Sequence, residues 1–465
     1  MDPERWPDVA RLPRASALRT AIARRIVEAA VDRLPLRLAG PGHPEAPAAD
    51  RTPAPTGPTP AGATPPAPLP ALTLPALTLH DPAAFHRRIG ADGLIGFGES
   101  YMAGEWDAED LVGVLTVFAE HIDALVPAPL RRLRGAWAHR RPERDLNTPG
   151  GSRDNIRRHY DLSNDLFALF LDPTLSYSSA VFDALPAAPS PVLPVTPTPA
   201  EFAAAQQHKI DLLLDLARVG PDTRLLEIGT GWGELALRAA ARGARVRTVT
   251  LSREQRDLAR RRIAEAGHAD RVSVELCDYR EVRGQYDAIV SVEMIEAVGA
   301  AYWPVYFGAL RALLAPGGSV ALQAITMPDA GMRATARTHT WISKYVFPGG
   351  LIPSREAIEA ESAAAGLAVR ADHGYGAHYA ETLRLWRESF LRNEEAVAEL
   401  GFDRVFRRMW ELYLAYSEAG FRAGYLDVRQ IRLTAADEDP ASPPAASAPV
   451  AASAPVPART TEDRA

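Results

Sequence analysis

Apolar and polar residues follow different periodicities in different parts of the chain. From about residue 203, short apolar runs alternate with stretches in which apolar residues recur at helical spacing. The runs predict strands near 224–228, 245–250, 272–276, 288–292 and 319–325, with helices between them and helix-rich sequence over 354–421. Such alternation is typical of a parallel sheet covered by helices, so we predict an α/β fold for this region.

Helical spacing dominates the first part of the chain. Residues 16–38 predict one amphipathic helix, whose apolar face carries Leu18, Ile22, Ile26 and Val27. A second helix follows glycine-punctuated turns, and its apolar positions are Leu111, Leu115, Phe118 and Ile122. These segments predict a small, mainly helical N-terminal domain over residues 1–145.

Proline marks the boundaries between these regions. More than half of the 40 prolines stand in three short tracts, within 41–75, 186–199 and 440–457. Proline has no backbone N–H and cannot complete regular hydrogen bonding, so the tracts predict linkers or tails. We therefore predict a disordered linker at 41–76, a larger domain at 146–435 with an insertion at 186–200, and a disordered tail at 436–465.

Charge and cysteine content exclude several classes of protein. Lys and Arg total 52 against 58 Asp and Glu, and this acidic balance disfavours general nucleic-acid binding. The single cysteine, Cys277, excludes a disulfide within the chain and a thiolate zinc cluster, and we expect it to be a buried strand residue. No apolar run reaches the roughly 20 residues of a membrane span, and residues 1–14 do not resemble a signal peptide. We expect a cytoplasmic protein.

A basic segment at 131–144, RRLRGAWAHRRPER, places arginines around Trp137. One interpretation is a solvated connector between domains. The other is adhesion to anionic lipid head groups, since basic residues are attracted to such a surface and tryptophan favours the interface. The segment alone does not decide between them.

Residues 225–233, LLEIGTGWG, form the strongest local motif. An apolar strand with Glu227 near its end leads into Gly229, Gly231 and Gly233, directly before a helical stretch. Glycines let a backbone turn sharply and approach a ligand closely, so we predict a nucleotide-like cofactor here. The spacing differs from the G-x-G-x-x-G motif that suits a pyrophosphate. The alternative is a tight turn that binds no ligand.

The glycine spacing resembles the first motif of S-adenosylmethionine-dependent methyltransferases. In that fold, residues after the third strand lie beside the adenine, and Asp278 and Tyr279 take that place here. The acid can accept a hydrogen bond from the exocyclic amine, and the ring can stack. Many such enzymes carry an acid after the second strand for the ribose, whereas this chain has TLSREQ at 250–255.

Longer motifs resemble one family, the cyclopropane fatty acid synthases and mycolic acid cyclopropane synthases. They are RHYDLSNDLF at 158–167, LDPTLSYS at 171–178, EMIEAVG at 293–299 and KYVFPGG at 344–350. GESYMAGEW at 98–106 resembles the N-terminal domain of the phospholipid-acting members. The resemblance covers about 81–433 apart from the proline-rich insertion. It implies a Rossmann-like class I methyltransferase sheet with covering helices, plus the small helical domain.

The resemblance implies a cofactor, S-adenosylmethionine, and a reaction at a cis double bond of an acyl chain. The predicted cofactor-binding residues are Tyr177, Ser178, Glu227, Gly229, Gly231, Gly233, Thr250, Leu251, Ser252, Gln255, Asp278 and Tyr279. Because an alkene is a weak nucleophile, the enzyme must hold it in line with the methyl group and tolerate a carbocation. Aromatic faces stabilise a cation, and the candidates are Tyr177, Trp341, Tyr345 and Tyr379. For each aromatic, the alternative is ordinary core packing.

In the family, a bicarbonate ion bound by a Cys, a Glu, a His and a Tyr acts as the base. Here Glu296 and Tyr379 match two of these residues, whereas Ser179 and Gln323 replace the Cys and the His. We predict these four as catalytic residues, with bicarbonate as the bound base. A serine keeps its backbone amide, and a glutamine amide donates a hydrogen bond without titrating.

These replacements point to a subgroup. QAITMP at 323–328 and TWISKY at 340–345 resemble actinobacterial methyltransferases of tuberculostearate-type lipid synthesis. The resemblance implies an oleoyl-type phospholipid substrate, a methylene-branched product, and a separate flavin- or nicotinamide-dependent reductase that forms the 10-methyl chain. It also implies a peripheral position at the inner face of the membrane, and it leaves a homo-oligomer open.

Three further functions compete with the methylene-forming enzyme. The first is a cyclopropane synthase, which would close a ring on the same acyl chain. The second is a membrane-associated binding protein that has kept the fold without turnover, and the third is a small-molecule O- or N-methyltransferase. The retained Glu296, Tyr379 and glycine loop disfavour the second, and the GESYMAGEW motif disfavours the third.

Overall fold

The computed structural model describes residues 2–41, 74–122, 142, 163–183, 185, 195–336 and 338–437. Apart from Pro142, the basic segment at 131–144 lies outside the described residues, as does the start of the 158–167 motif. Most of the three proline tracts also lie outside them. The domain boundary near residue 145, the linker and the tail therefore stay predictions.

The described elements fall into an N-terminal group and a larger group. The first contains α1 (Pro7–Ala10), α2 (Ala17–Arg33), β1 (Arg37–Ala39), β2 (Ala76–Leu79), α3 (Pro82–Asp92), α4 (Leu94–Ala103), β3 (Trp106–Asp107) and α5 (Leu111–Glu120). The second begins with α6 (Asn164–Ala168), α7 (Pro199–Leu216), β4 (Arg224–Ile228), α8 (Glu234–Ala241), β5 (Arg245–Thr250), α9 (Arg253–Glu265), β6 (Val272–Leu276), β7 (Tyr286–Val292) and α10 (Ile295–Val298). It continues with α11 (Trp303–Leu313), β8 (Leu314–Thr326), α12 (Asp329–Thr335), α13 (Trp341–Tyr345), α14 (Arg355–Ala364), β9 (Leu367–Gly374), α15 (Gly376–Arg392), α16 (Glu394–Glu399), α17 (Arg404–Arg422) and β10 (Asp427–Ala435).

Seven strands form the large sheet in the order β6-β5-β4-β7-β8-β10-β9. Strands β4 to β8 pair in parallel, so the predicted α/β class is confirmed and all five predicted strands are present. Two further strands, β10 and β9, were not among those predicted, and β10 runs antiparallel to both β8 and β9. Strand β9 also interrupts the region predicted as helix-rich.

Helices cover both faces of this sheet. On β8, Val320, Leu322 and Ala324 belong to one buried cluster, whereas Ala321 between them belongs to another on the opposite face. A strand buried on both sides reads as a continuous apolar run rather than an alternation, which explains why the sequence 319–325 was recognisable. The carboxyl ends of the parallel strands meet at one edge of the sheet, and a cavity opens there.

The N-terminal elements include a three-stranded sheet, β1-β2-β3, and helices that pack against the larger group. Helix α2 is present, but its predicted apolar face is wrong in part, since Leu18 is 70% exposed while Ala23 is buried. The buried guanidinium of Arg88 contacts Glu105 at 2.8 Å and the backbone oxygen of Val9 at 2.7 Å. This pairing holds the first residues of the chain onto α3.

Helix α4, which carries most of the GESYMAGEW motif, packs directly on the larger group. The carboxylate of Glu99 accepts hydrogen bonds from Lys344 Nζ at 2.6 Å and Tyr345 Oη at 2.8 Å, both on α13. Tyr101 Oη donates to Glu411 on α17 at 2.8 Å. Burial raises the pKa of Glu99, and the Lys344 charge opposes that rise. The motif therefore joins the N-terminal elements to the helices that flank the site.

No helix among those described has both the length and the hydropathy that a bilayer crossing requires.

Gly98→Ala should destabilise the protein by about 1–3 kcal/mol, because a methyl group added where the space is already occupied displaces neighbouring side chains. A Cβ at Gly98 would lie 2.5 Å from the indole Nε1 of the buried Trp341. Gly308→Ala is the matched control, since Gly308 is also helical, is exposed and has open space at its Cβ position. The control should be neutral or stabilising by up to about 1 kcal/mol. Urea unfolding of both variants measures the difference, and equal effects would contradict the tight contact.

Candidate functional site

A large cavity opens at the carboxyl ends of the parallel strands, where ligands bind in open α/β sheets. Twelve of the sixteen predicted site residues line it, namely Tyr177, Ser178, Glu227, Gly229, Gly231, Thr250, Leu251, Gln255, Asp278, Tyr279, Glu296 and Tyr379. The lining does not include Ser179, Gly233, Ser252 and Gln323. Each of these four contacts a residue that does line the cavity, or supports an element beside it.

The glycine loop has the conformation that its sequence predicts. Gly229, Gly231 and Gly233 have φ of 96°, 51° and 93°, in the left-handed region that favours glycine. A Cβ at Gly231 would meet nothing within 4 Å, so its backbone is open to a ligand in the cavity. Gly233 instead is the N-cap residue of α8, and a Cβ at Gly233 would lie 3.1 Å from the Cβ of Ala259. Gly233 therefore positions the helix, and Gly231 leaves room for the cofactor.

Glu227, near the end of β4, places a carboxyl group beside the glycine loop. Its carboxyl group is buried, and its Oε2 has no hydrogen-bond partner among the described residues. Burial raises the pKa of Glu227 to about 8. A buried oxygen without a partner is costly unless a ligand satisfies it. The ammonium group of S-adenosylmethionine fits that need, so Glu227 and the glycine loop would hold its amino-acid end.

The segment after β5 supports the cavity wall through its own hydrogen bonds. Thr250 Oγ1 donates to Gln255 Oε1 at 3.0 Å, and the backbone N–H of Ser252 donates to Thr250 Oγ1 at 3.1 Å. Ser252 Oγ accepts from the backbone N–H of Gln255 at 3.2 Å and caps α9. Ser252 thus orders the turn, while Thr250, Leu251 and Gln255 reach the cavity.

After β6, an arginine that the sequence prediction missed engages the predicted adenine acid. Arg280 Nε donates to Asp278 Oδ1 at 2.8 Å, and Arg280 Nη2 donates to Oδ2 at 2.5 Å. The guanidinium also lies 5.5 Å from the ring centre of Tyr279. Cys277 lines the cavity and is half-buried just beyond the strand, so its prediction as a buried strand residue is wrong.

Glu293, another residue that the prediction missed, is the meeting point of three predicted catalytic residues. The backbone N–H of Ser179 donates to Glu293 Oε1 at 3.0 Å, and Gln323 Nε2 donates to the same oxygen at 2.8 Å. Tyr379 Oη donates to Oε2 at 2.7 Å. Gln430 on β10 donates to Gln323 Oε1 at 3.0 Å and orients the Gln323 amide. A carboxylate is therefore surrounded by donors from separate parts of the chain.

The backbone at Glu293 is strained. Its φ is 51°, in the left-handed region that costs a residue with a side chain about 1–3 kcal/mol. The hydrogen bond from the Glu293 N–H to the oxygen of Gln323, at 2.7 Å, holds the residue against β8. The fold therefore maintains this side chain in a conformation that glycine would adopt more easily.

Glu296 lies beside this cluster in a different environment. Its Oε1 accepts from the backbone N–H of Ile325, and its buried Oε2 has no partner among the described residues. Burial raises the pKa of Glu296 to about 8, and the charge of Glu293 adds to the rise. The two acids therefore cannot both be ionised at neutral pH without a large cost.

One buried cation lies near these acids. Lys209 on α7 is 2% exposed, and its Nζ donates to Ser178 Oγ at 2.6 Å. Burial lowers the pKa of Lys209 to about 8, and the charge of Glu293 opposes that shift most strongly. The lysine therefore favours the ionised form of the Glu293 carboxyl group.

The same cavity is also lined by a set of apolar and aromatic side chains, which we call the apolar limb. The limb includes Ile325, Met327, Ile342, Phe347, Tyr413, Phe421 and Leu426. Tyr177 Oη and Tyr413 Oη share a hydrogen bond of 2.8 Å, and the ring centre of Tyr379 lies 4.6 Å from that of Phe421. Trp341 and Tyr345 instead contact α4, so ordinary core packing accounts for those two aromatics.

Comparison with known proteins identifies relatives that match most of this chain. The family model described as mycolic acid cyclopropane synthetase matches residues 149–431. Tuberculostearic acid methyltransferase UfaA1 of Mycobacterium tuberculosis is 53% identical over 434 residues, which cover 92% of this chain and 95% of that protein. Cyclopropane-fatty-acyl-phospholipid synthase of Escherichia coli is 32% identical over 354 residues, with 75% and 85% covered.

Solved structures agree with these relatives. The cyclopropane synthase MmaA2 from Mycobacterium tuberculosis has a TM-score of 0.54 and 31% identity, and the match covers 60% of this chain and 97% of that one. Mycolic acid cyclopropane synthase CmaA1, complexed with SAH and CTAB, also has a TM-score of 0.54, with 29% identity and coverage of 63% and 98%. The predicted family, fold and S-adenosylmethionine-dependent methyltransferase class are confirmed.

Glu296→Gln should change how stability depends on pH. The pKa of Glu296 rises from 4.5 to about 8, so between these pH values the folded protein holds a proton that the unfolded chain has released. The stability from this proton is present below pH 4.5 and is lost as pH rises through 8. From pH 6 to 8 the wild type should lose about 1 kcal/mol per pH unit relative to the variant.

Urea unfolding at pH 6, 7 and 8 measures this difference. Glu399→Gln, at an exposed position of α16, is the control and should follow the wild-type profile. A Glu296→Gln profile parallel to the wild type would show that Glu296 is ionised in the folded protein throughout this range.

Proposed function

Because this chain belongs to the mycolic acid cyclopropane synthetase family, we propose that it methylates the cis double bond of an oleoyl-type acyl chain in a phospholipid. The methyl donor is S-adenosylmethionine, which supplies an electrophilic methyl group and leaves as a neutral thioether. The proposed product is a methylene-branched acyl chain.

One observation carries the proposal: the glycine loop, the apolar limb and the side chains of Glu293, Glu296 and Tyr379 all line a single cavity. A methyltransferase acting on oxygen or nitrogen needs a polar acceptor and a base that deprotonates it. The limb is lined mainly by aliphatic and aromatic side chains, which suits a hydrocarbon chain. The reacting carbon would then lie beside the acids, where a proton can be removed.

The aromatic residues of the limb have a role in this chemistry. Methylation of an alkene leaves a carbocation, and aromatic faces stabilise a cation without trapping it. Tyr177, Tyr379 and Phe421 line the cavity near the acids. Burial raises the pKa of Tyr379 well above its ordinary value, so its hydroxyl stays protonated and is a poor nucleophile. Exclusion of water by the same rings protects the cation from hydration.

The methylene product is favoured over the ring by similarity to a relative. UfaA1, named a tuberculostearic acid methyltransferase, is 53% identical across nearly the whole chain, compared with 32% for the Escherichia coli cyclopropane synthase. A methylene branch requires a hydride shift before the proton leaves, whereas ring closure does not. We propose that a separate flavin- or nicotinamide-dependent reductase converts the branch to a 10-methyl group.

The substrate also implies where the enzyme acts. An acyl chain of a phospholipid must leave the bilayer to enter the limb, so we propose that the enzyme acts at the inner membrane surface as a peripheral protein. The arginine-rich composition at 131–144 supports attraction to anionic lipid.

Incubation of the purified protein with S-adenosylmethionine and dioleoyl phospholipid vesicles tests the proposal. S-adenosylhomocysteine should form, and proton NMR of the isolated acyl chains should show the olefinic signals of an exocyclic methylene group. Vesicles of distearoyl phospholipid are the control and should give no turnover, because they lack a double bond. Upfield cyclopropane signals would show that the product is the ring and not the methylene branch. Methylation of the head group would contradict the proposed acceptor.

A further inference from the structure

We infer that Glu293 is the catalytic base of this enzyme. Its carboxylate takes the hydrogen-bond donors that would otherwise hold a bicarbonate ion, and we call this position the anion site. This inference rests on the proposed function and identifies the group that removes the proton.

The hydrogen bonds of the anion site support this assignment. Three of the four predicted catalytic residues, Ser179, Gln323 and Tyr379, donate to the Glu293 carboxylate at 2.7 to 3.0 Å. The Ser179 N–H and the Tyr379 hydroxyl each carry one hydrogen, and both hydrogens point to Glu293. A bicarbonate ion would need the same donors and would lie against a second negative charge. The residues present therefore do not fit bicarbonate while Glu293 is in place.

The backbone of Glu293 supports the same conclusion independently. Its φ of 51° is one that glycine adopts without strain, yet the chain carries a residue with a long side chain there. The Glu293 N–H donates to the backbone oxygen of Gln323, so this hydrogen bond to β8 maintains the strained conformation. This conformation places the carboxylate at the cavity, among donors from β8, α15 and the loop before α7.

Glu293 is a better candidate for the base than Glu296. The carboxyl group of Glu296 has one backbone donor and an oxygen without a partner among the described residues. The charge of Glu293 also raises the pKa of Glu296, so Glu296 retains its proton when Glu293 is ionised. Three hydrogen-bond donors and the charge of Lys209 stabilise ionised Glu293, while burial raises its pKa and strengthens it as a base.

The proposed step balances in atoms and charge. After methyl transfer, the acyl chain carries a carbocation next to the carbon that received the methyl group. A hydride then moves with its electron pair to the cationic carbon, and the positive charge moves to the methyl-bearing carbon. A C–H bond of the new methyl group breaks, its electron pair forms the exocyclic C=C bond, and the proton bonds to a Glu293 oxygen. The cation and the carboxylate become a neutral alkene and a neutral carboxylic acid.

Two substitutions test this assignment in the full-length protein. Glu293→Gln keeps the size of the side chain but removes the basic oxygen, so turnover with dioleoyl phospholipid should fall by about 10²–10⁴-fold. Binding of S-adenosylhomocysteine should stay within a few-fold of wild type. Glu293→Gly removes the side chain, suits the local φ and opens the anion site. Added bicarbonate or formate should restore part of the turnover of Glu293→Gly in a concentration-dependent manner, but should not restore Glu293→Gln, whose amide fills the site.

A binding readout separates this inference from the proposed function. Bicarbonate should raise the melting temperature of Glu293→Gly, because an anion that binds the folded state stabilises it, and should not raise that of wild type or Glu293→Gln. Wild-type turnover should also be unchanged in bicarbonate-free buffer. If wild type were inactive on unsaturated phospholipid, the proposed function would fail while the melting data still tested the site. Any one of three results would overturn the inference. They are loss of wild-type turnover when bicarbonate is removed, near-wild-type turnover of Glu293→Gln, and a bicarbonate-induced rise in melting temperature that is equal in wild type and Glu293→Gly.

Discussion

The stabilisation of one buried carboxylate organises this site. An ionised acid inside a protein is costly unless hydrogen bonds and opposite charge compensate for its lost hydration. The Glu293 carboxylate receives donors from Ser179, Gln323 and Tyr379, which lie on three separate segments. Gln430 holds the amide of Gln323 from the neighbouring antiparallel strand, and Lys209 supplies positive charge. The unusual strand β10 is therefore part of the catalytic geometry as well as of the sheet.

The same interactions explain how one cavity serves two unlike ligands. Beside the glycine loop, Glu227 has an oxygen that is unpartnered among the described residues, whereas aliphatic and aromatic side chains line the limb. The acids line the same cavity, and Glu296 accepts a hydrogen bond from the backbone of Ile325 in the limb, so the proposed proton loss would take place beside the acyl chain. The chain has two lysines, Lys209 and Lys344, and each compensates buried acids, one at the site and the other at the contact with α4. Packing of the N-terminal helices thus continues into the walls of the cavity.

Much of this arrangement could be predicted from the sequence, and what could not has physical causes. The parallel strands are continuous apolar runs, and the glycine loop has a fixed spacing, so both were recognisable. Strands β9 and β10 were missed because they carry polar residues, and the buried Gln430 amide is satisfied by Gln323 Oε1 and by the backbone oxygen of Lys209. Glu293 stands in a motif that was identified, but the motif pointed to Glu296 as the acid. The contact of Ser179 with Glu293 uses a backbone N–H, which no side-chain pattern reveals.

A crystal structure of the protein grown in bicarbonate with S-adenosylhomocysteine would distinguish a glutamate base from a bound bicarbonate ion. We expect the Glu293 carboxylate to lie within hydrogen-bond distance of the Ser179 N–H, the Gln323 amide and the Tyr379 hydroxyl, with no carbonate density among those donors. A carbonate ion bound to the three donors, with the Glu293 side chain turned away from them, would contradict it.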